Sequence, residues 1–444
     1  MKIKSINPNP MFSKSPNNSF FSFLLMTLSL VIFLMVYSSL VMGQQKPRVI
    51  ISSDIGGTDP DDFQSMIHYL MYADRFNTEG LIASPYGGGR KEDITKMIDL
   101  YEEDYPKLKA RSKDFPSPDF LRSIAKQGAV DRVPLKGWRE PTEGSEWIVE
   151  CAKRQIDAPL WVLVWGGLED LVQALHDAPE ISDKLRVYWI AGPNKKWGAD
   201  TYQYLVSHFP ELWIIETNAT YRGWFVDNKR PDHTNVNRFY KAHIQGRGAM
   251  GRDFINYYNG EIKMGDTPSV AYLLDGNPEN PNGESWGGRF VPLNYSSRRT
   301  FERNTSLADT VPVFALVEWV YQGPTLDTIS ESPCFWLEIS GQQFEGYYEG
   351  RGRYRVRFVP KSAGNWSYET SSEIEVLDGL KGEFVSRDPW PGSQNEQDFK
   401  QLTNWWSDDP DPQNFVGDHQ GAKTIFRWQD QFLNDWAKRW EWLE

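Results

Sequence analysis

Apolar residues change their spacing twice along this chain. The first apolar stretch, Phe20 to Met42, carries no charge and is preceded by Lys2, Lys4 and Lys14. Its centre, Phe23 to Val36, has the character of a signal-peptide core, and Val41-Met42-Gly43 puts small or compact residues at the recognition positions, so cleavage after Gly43 is predicted. The alternative is an uncleaved anchor, since the run is long enough to span a bilayer, although Thr27, Ser29, Ser38 and Ser39 weaken it. A membrane partner is expected only in that case. From Gln44 onward, short β-branched or aromatic runs alternate with helical stripes. The pattern predicts strands at 48–54, 80–84, 160–165, 185–191 and 212–216, and helices at 59–76, 92–108, 146–155, 168–175 and 202–208. In the first helix Phe63, Met66, Ile67, Leu70 and Met71 fall on one stripe. Apolar strands separated by helices predict an α/β fold, an open and mostly parallel sheet with helices on both faces.

The second change comes near residue 304, where the helical stripe gives way to strict alternation. It is clearest in Arg353-Tyr354-Arg355-Val356-Arg357-Phe358, which turns three arginines to water and three apolar side chains to a core. Residues 304–387 are therefore expected to form a small all-β sandwich. Asp388–Gln420 reads as a Pro-, Asp- and Asn-rich loop. Ile425, Trp428, Phe432 and Trp436 then form a stripe on a last helix, which needs a partner that a sandwich with its own core does not supply. That helix is expected to return to the α/β domain of residues 44–303, so that residues 388–444 are a linker loop and a returning helix, and the β-domain is an insertion.

Composition narrows the function. Lys and Arg total 48 against 60 acids, and removal of three lysines with the signal takes the net charge from −12 to −15. Nucleic acid is excluded as a partner, because phosphate binding rests on cationic neutralisation. The two cysteines, Cys151 and Cys334, can build neither a disulfide framework nor a cysteine metal site. Nineteen Trp, 20 Tyr and 24 Phe supply flat rings able to stack on sugars, although most of them are expected in the core.

Ligands of open α/β sheets bind outside the carboxyl ends of the strands. After the first strand stand Asp54, Asp59, Asp61 and Asp62 around Gly56-Gly57. Four carboxylates so close repel one another, and a hard cation with oxygen ligands offsets that cost; Ca²⁺ is favoured over Mg²⁺ where carboxylates combine with backbone carbonyls. Helix capping explains one such aspartate, but not four. Past two later strands lie Asn194, Lys195, Trp197, Asn218, Tyr221 and Arg222, an amide, a cation and a ring at each, which together form a candidate substrate wall. Glu169 and Asp170 read as acids at a helix start, and Cys151 as a buried thiol.

These segments also resemble a known family. SSDIGGTDPDDF is similar to the aspartate-rich first loop of the nucleoside hydrolases, VLVWGGLEDLVQAL to their second strand-loop-helix signature, and GDTPSVAYLL to the segment that carries a distant aspartate to the same calcium. More closely, AGPNKKWGADTYQYL, ELWIIETNATYRGWF and ESWGGRF resemble bacterial nucleoside-hydrolase-like proteins described as cellulose-binding. GRYRVRFVPKSAGNWSYETSS resembles the small immunoglobulin-like domain at the N-terminus of some secreted glycosidases. The resemblance implies that Asp54, Asp62, Asp266 and the carbonyl of Trp165 bind Ca²⁺ and that Asp61 is the general base, in a calcium-dependent hydrolase of glycosidic or N-glycosyl bonds. Three departures qualify it. The first loop is longer between Asp54 and Asp62, which leaves Asp59 as an alternative ligand; Gly265 stands where a leaving-group histidine is usual; and Tyr86-Gly87-Gly88-Gly89 replaces an asparagine turn. The implied substrate is thus a different glycosyl compound, with cellulose or a related polysaccharide as the expected partner, and the competing function is a non-catalytic glycan-binding protein on the same fold.

Overall fold

The β-branched run after Pro47 forms β1 (Arg48–Ser53), every residue of which is buried. The computed structural model describes Met1 and residues 46–84, 90–225 and 236–444. Apart from Met1, the segment read as a signal peptide lies outside the described residues, as does the Tyr86–Gly89 turn. Among the described residues no helix is long and apolar enough to cross a membrane.

The chain continues through α1 (Asp61–Met71), β2 (Asn77–Ala83), α2 (Lys91–Arg111), β3 (Ala125–Gln127), α3 (Glu143–Lys153), β4 (Leu160–Val164), α4 (Glu169–Asp177), β5 (Leu185–Ile190), α5 (Gly192–Trp197), α6 (Ala199–His208), β6 (Ile214–Thr217), α7 (Thr267–Leu274) and β7 (Phe290–Pro292). Helix α1 is shorter at both ends than its stripe predicts. Pro60 precedes its first turn, and Tyr72 leaves helical geometry for a short 3₁₀ turn at Ala73–Arg75. The strands pair in parallel in the order β3-β2-β1-β4-β5-β6, and helix-borne apolar residues cover both faces in two large cores. This is the expected α/β fold.

Eight of the later strands among the described residues build the β-domain: β8 (Arg298–Phe301), β9 (Thr310–Pro312), β10 (Leu316–Gln322), β11 (Phe335–Ile339), β12 (Gln342–Gly350), β13 (Arg353–Phe358), β14 (Gly364–Ser372) and β15 (Lys381–Arg387). They form one hydrogen-bonded sheet, β9-β15-β14-β11-β12-β13-β10-β8. It folds over on itself, so that Trp319 of β10 packs on Tyr368 of β14 and Phe384 of β15 at ring separations of 4.8 and 5.6 Å. The sheet begins at Arg298, ahead of the change of period, because β8 pairs in parallel with β10 and its four residues are half-buried, too short a run to show alternation.

Asp388–Gln420 is not the uniform loop its composition suggests. Trp405–Asp408 forms β16, which pairs in parallel with β6 and antiparallel with β7 and so sits inside the first sheet. Four residues between Asn404 and an Asp-Pro pair carry no readable period. The last helix, α8 (Gln429–Trp440), starts after Trp428 and packs in the first core, with Phe432 stacked on Trp224 at 3.6 Å and Trp436 against Phe239 and His68.

One buried acid ties the β-domain together. Glu318, fully buried on β10, accepts from Arg355 at 2.9 Å, Arg357 at 2.8 Å and Arg298, and Arg357 also pairs with Asp200 of α6. Burial pushes its carboxyl up, but the three guanidiniums outweigh burial and hold it near 2, below its ordinary 4.5. A depressed carboxylate stabilises the fold above its unfolded pKa, and that stability is lost as pH falls through the folded value. Glu318→Gln should therefore cost about 3 kcal/mol at neutral pH, and the gap to wild type should close between pH 4.5 and 2 in urea titrations. A gap that does not change across that window would exclude this account.

Candidate functional site

Between β1 and β4 the strand order reverses: the chain leaves β1 for β2 on one side and β4 for β5 on the other. A crevice opens at such a switch point, outside the carboxyl ends of the strands. Asp54 follows β1 and Trp165 follows β4 directly. A Cβ on Gly166 would lie 2.7 Å from that of Asp54, so only glycine lets the two strand ends approach this closely. The Gly57 N–H donates to the Asp54 carbonyl at 2.8 Å and closes a turn that delivers Asp61 and Asp62 to the first turn of α1, where the helix dipole favours negative charge. Asp266 arrives from the opposite side, at the start of α7.

Asp61, Asp62 and Asp266 offer carboxylate oxygens that all lie within 4.8 Å of one another. Asp54 stands beside them, hydrogen-bonded to Asp62. The other contacts fix this cluster. Ser53 Oγ donates to Asp62 Oδ1 at 2.5 Å, the Gly265 N–H to Asp61 Oδ2 at 3.0 Å, and the Asp266 N–H to Ser65 Oγ at 3.4 Å. Asp266 Oδ2 is buried without a partner. Burial above all, and then the neighbouring carboxylates, push Asp54 up to about 6 and Asp61 up to about 7, and raise Asp62 and Asp266 well above the carboxylate range. Four acids held together at such a cost, one with an orphaned oxygen, are the donor set that a hard divalent cation fits. Asp61, read from sequence as a base alone, is thus one of three carboxylates placed to share a cation. Asp59 lines the same cleft but is half-exposed and paired with Lys263. The Trp165 carbonyl accepts from Asn194 Nδ2 at 3.2 Å and keeps a second lone pair.

Of the predicted substrate wall, Asn194, Trp197 and Tyr221 line a cleft of about 840 Å³ together with the aspartates. Lys195, Asn218 and Arg222 do not. Lys195 is fully buried, paired with Glu216 at 2.8 Å and held 4.0 Å from the rings of both Tyr202 and Trp390. Asn218 donates its amide to the same Glu216 at 2.8 Å, and its backbone N–H donates to Asp408 at 3.1 Å. Both residues anchor the segment after the β-domain beneath the sheet, a role that a strand-end position does not reveal. Arg222 lies 5.3 Å from the Tyr221 ring. Trp197 also departs from its expected role as a sugar platform: Phe344 of the β-domain stacks on it at 5.2 Å and Arg132 lies 4.5 Å over it. Asp170 accepts from the Ala129 N–H at 3.0 Å and from Thr142, whereas Glu169 is buried and raised to about 8, chiefly by burial.

Sequence reasoning missed a whole side of the cleft. Asp131, Arg132 and Arg139 reach it from the loop after β3, and Glu331, Ser332, Pro333, Glu345 and Tyr347 from the β-domain. These residues sit in loops or on an alternating strand, with no local motif to mark them.

Residues 48–290 match the family model described as cellulose-binding Sde182, nucleoside hydrolase-like domain, and residues 310–373 match a domain of unknown function, DUF5060. Among solved structures, a nucleoside hydrolase-related hypothetical protein from Saccharophagus degradans, associated with carbohydrate metabolism, is 18% identical over 77% of this chain and 99% of its own, with a TM-score of 0.48. An inosine-uridine preferring nucleoside hydrolase from Bacillus anthracis is 17% identical over 57% of this chain and 86% of its own, with a TM-score of 0.35. A putative glycoside hydrolase from Bacteroides vulgatus is 30% identical over 19% of this chain and 17% of its own, with a TM-score of 0.16. No curated protein matches.

Proposed function

The chain belongs to the cellulose-binding Sde182 family with a nucleoside hydrolase-like domain, and on that premise we propose that it is a secreted, Ca²⁺-dependent hydrolase of a glycosidic or N-glycosyl bond. The observation that carries the reading is the convergence of Asp61, Asp62 and Asp266, with the orphaned Asp266 Oδ2, on a cleft of about 840 Å³. Asp54, Asp62, Asp266 and the Trp165 carbonyl would hold the ion. Bound there, Ca²⁺ supplies a Lewis acid that lowers the pKa of a water and can hold a vicinal diol.

The chain's own residues do the rest. Asp61 Oδ2 is fixed by the Gly265 N–H, which leaves Oδ1 to take the proton of the attacking water. As that water's oxygen bonds to the anomeric carbon, the bond to the leaving group breaks through an oxocarbenium-like transition state, and the leaving group departs with the bonding pair and takes its proton from solvent. Asn194 and Tyr221 line the same cleft and would orient the sugar. A Cβ at residue 265 would lie 2.4 Å from Asp61 Oδ2, so a histidine there would displace the base. This is a physical reason for the missing leaving-group donor, and it argues against an ordinary nucleoside as substrate. The competing reading, non-catalytic glycan binding, is favoured by the family's description as cellulose-binding.

The metal is tested first. A ligand bound only by the folded state stabilises by mass action, about 2.7 kcal/mol at a hundredfold excess over Kd. EDTA should lower Tm, calcium should restore it, and Asp266→Ala should abolish the shift. An unchanged Tm in the wild type ends the calcium reading. Turnover of nucleosides, aryl glycosides and plant polysaccharides with calcium present then separates the two functions: retention on a glycan with no turnover of any of them means a binder.

A further inference from the structure

The β-domain does not hang off the α/β body as a separate module. Its strands β12 and β13 are docked on α5 and α6 through Phe344 on Trp197, Gln342 accepting from Lys196 Nζ at 2.6 Å, and the Arg357 to Asp200 pair. Docked this way, the β-domain turns Glu345 and Tyr347 of β12, and Glu331 of the loop before β11, into the cleft that ends at the aspartates. Both carboxylates are held in place. Tyr347 Oη donates to Glu345 Oε2 at 2.5 Å, and Glu331 pairs with Arg139 at 3.4 Å and Lys136 at 3.9 Å. Fixed acceptors of this kind, exposed on one side, suit the hydroxyl groups of a sugar.

Charge and size narrow the ligand further. Eight carboxylates and two guanidiniums line the cleft. A site so negative repels phosphorylated or uronic sugars, and a neutral, hydroxyl-rich ligand remains. Pockets for drug-sized ligands run to about 300–1,000 Å³. At about 840 Å³ this cleft is near the top of that range, larger than one sugar ring at the aspartates requires.

We propose that the β-domain is the outer half of the substrate site: Glu331 and Glu345, the latter positioned by Tyr347, hold the units of a neutral oligosaccharide beyond the sugar seated at the aspartates. The inference rests on the reading of the cleft as a glycan site and adds the substrate class, an extended neutral chain in place of a nucleoside or a monosaccharide. It also gives the β-domain a role in specificity.

The test is calorimetric titration of the full chain, in calcium buffer, with glucose and cellohexaose. Each charged hydrogen bond lost costs roughly tenfold in affinity. Glu331→Ala and Glu345→Ala should each weaken cellohexaose binding about tenfold, and the double variant more, while glucose binding is unchanged. Both side chains are exposed, so Tm should stay at the wild-type value and a folding defect would be visible. Tyr347→Phe should act in the same direction by releasing Glu345. If the wall variants bind both lengths like wild type while Asp62→Ala weakens both, the glycan reading stands and the role of the β-domain is wrong. Equal losses for the two lengths also overturn it, and a wild type that binds neither overturns both readings.

Discussion

Asp61→Asn is expected to lower the hydrolytic rate by about 10²–10⁴, the usual cost of removing a general base. The isosteric amide keeps an oxygen at the cluster and still accepts the Gly265 N–H that now reaches Asp61 Oδ2 at 3.0 Å. Shape, glycan affinity and the calcium-dependent rise in Tm should therefore survive. Single-turnover kinetics, alongside thermal denaturation with and without calcium, separate the roles this carboxylate could have. A rate that collapses while the thermal shift remains identifies the base. If both vanish, Asp61 is a ligand, as its place within 4.8 Å of Asp62 and Asp266 allows. A rate that persists removes it from the chemistry.

The largest stability effect should come from the last helix. Trp436 is fully buried, its ring within 5.4 Å of Phe239, 5.5 Å of His68 and 5.6 Å of Trp440. Arg439, one turn on, pairs with Asp74 at 2.6 Å and donates to the Met71 carbonyl, so α8 closes over the end of α1. Trp436→Ala should cost about 3–5 kcal/mol in urea denaturation, and Trp436→Phe much less, because only part of the cavity is opened. Ending the chain before Ala422 should leave no cooperative transition, since it also strips Phe432 from its 3.6 Å stack on Trp224. A truncated chain as stable as the intact one would contradict the packing described above.

What the sequence made legible, and what it hid, follows from the range over which each signal acts. Fully buried parallel strands write themselves as apolar runs, so β1, β4 and β5 begin where the pattern places them. The aspartates were legible because chemistry that needs carboxylates at a strand end leaves them together in sequence, and Asp266 was reached only through a resemblance. Lys195 shows the limit. Its position at a strand end suggested a substrate contact, yet what decides its role is Glu216, Tyr202 and Trp390, the last nearly two hundred residues away. Trp197 lines the cleft, but its stacking face belongs to Phe344, on a strand with no local link to it. Glu331 and Glu345 were illegible for the same reason: an exposed acid in a β-domain looks like any solvated surface charge until another domain is docked beside it.

The position of β16 sets an order of events for a chain that emerges N-terminus first. Strand β6 is complete at Thr217, but its neighbour arrives with Asp408, whose carboxylate accepts from the Asn218 N–H across about 190 residues. At about 5–20 residues per second of synthesis, the open edge of β6 waits on the order of 10–40 s for its partner. All eight strands of the β-domain are made within that interval. The ribosome thus delivers a finished β-domain tethered to an unfinished sheet. For that time the bare edge is the point at which a neighbouring nascent chain can pair wrongly, and a chaperone would have most to protect there.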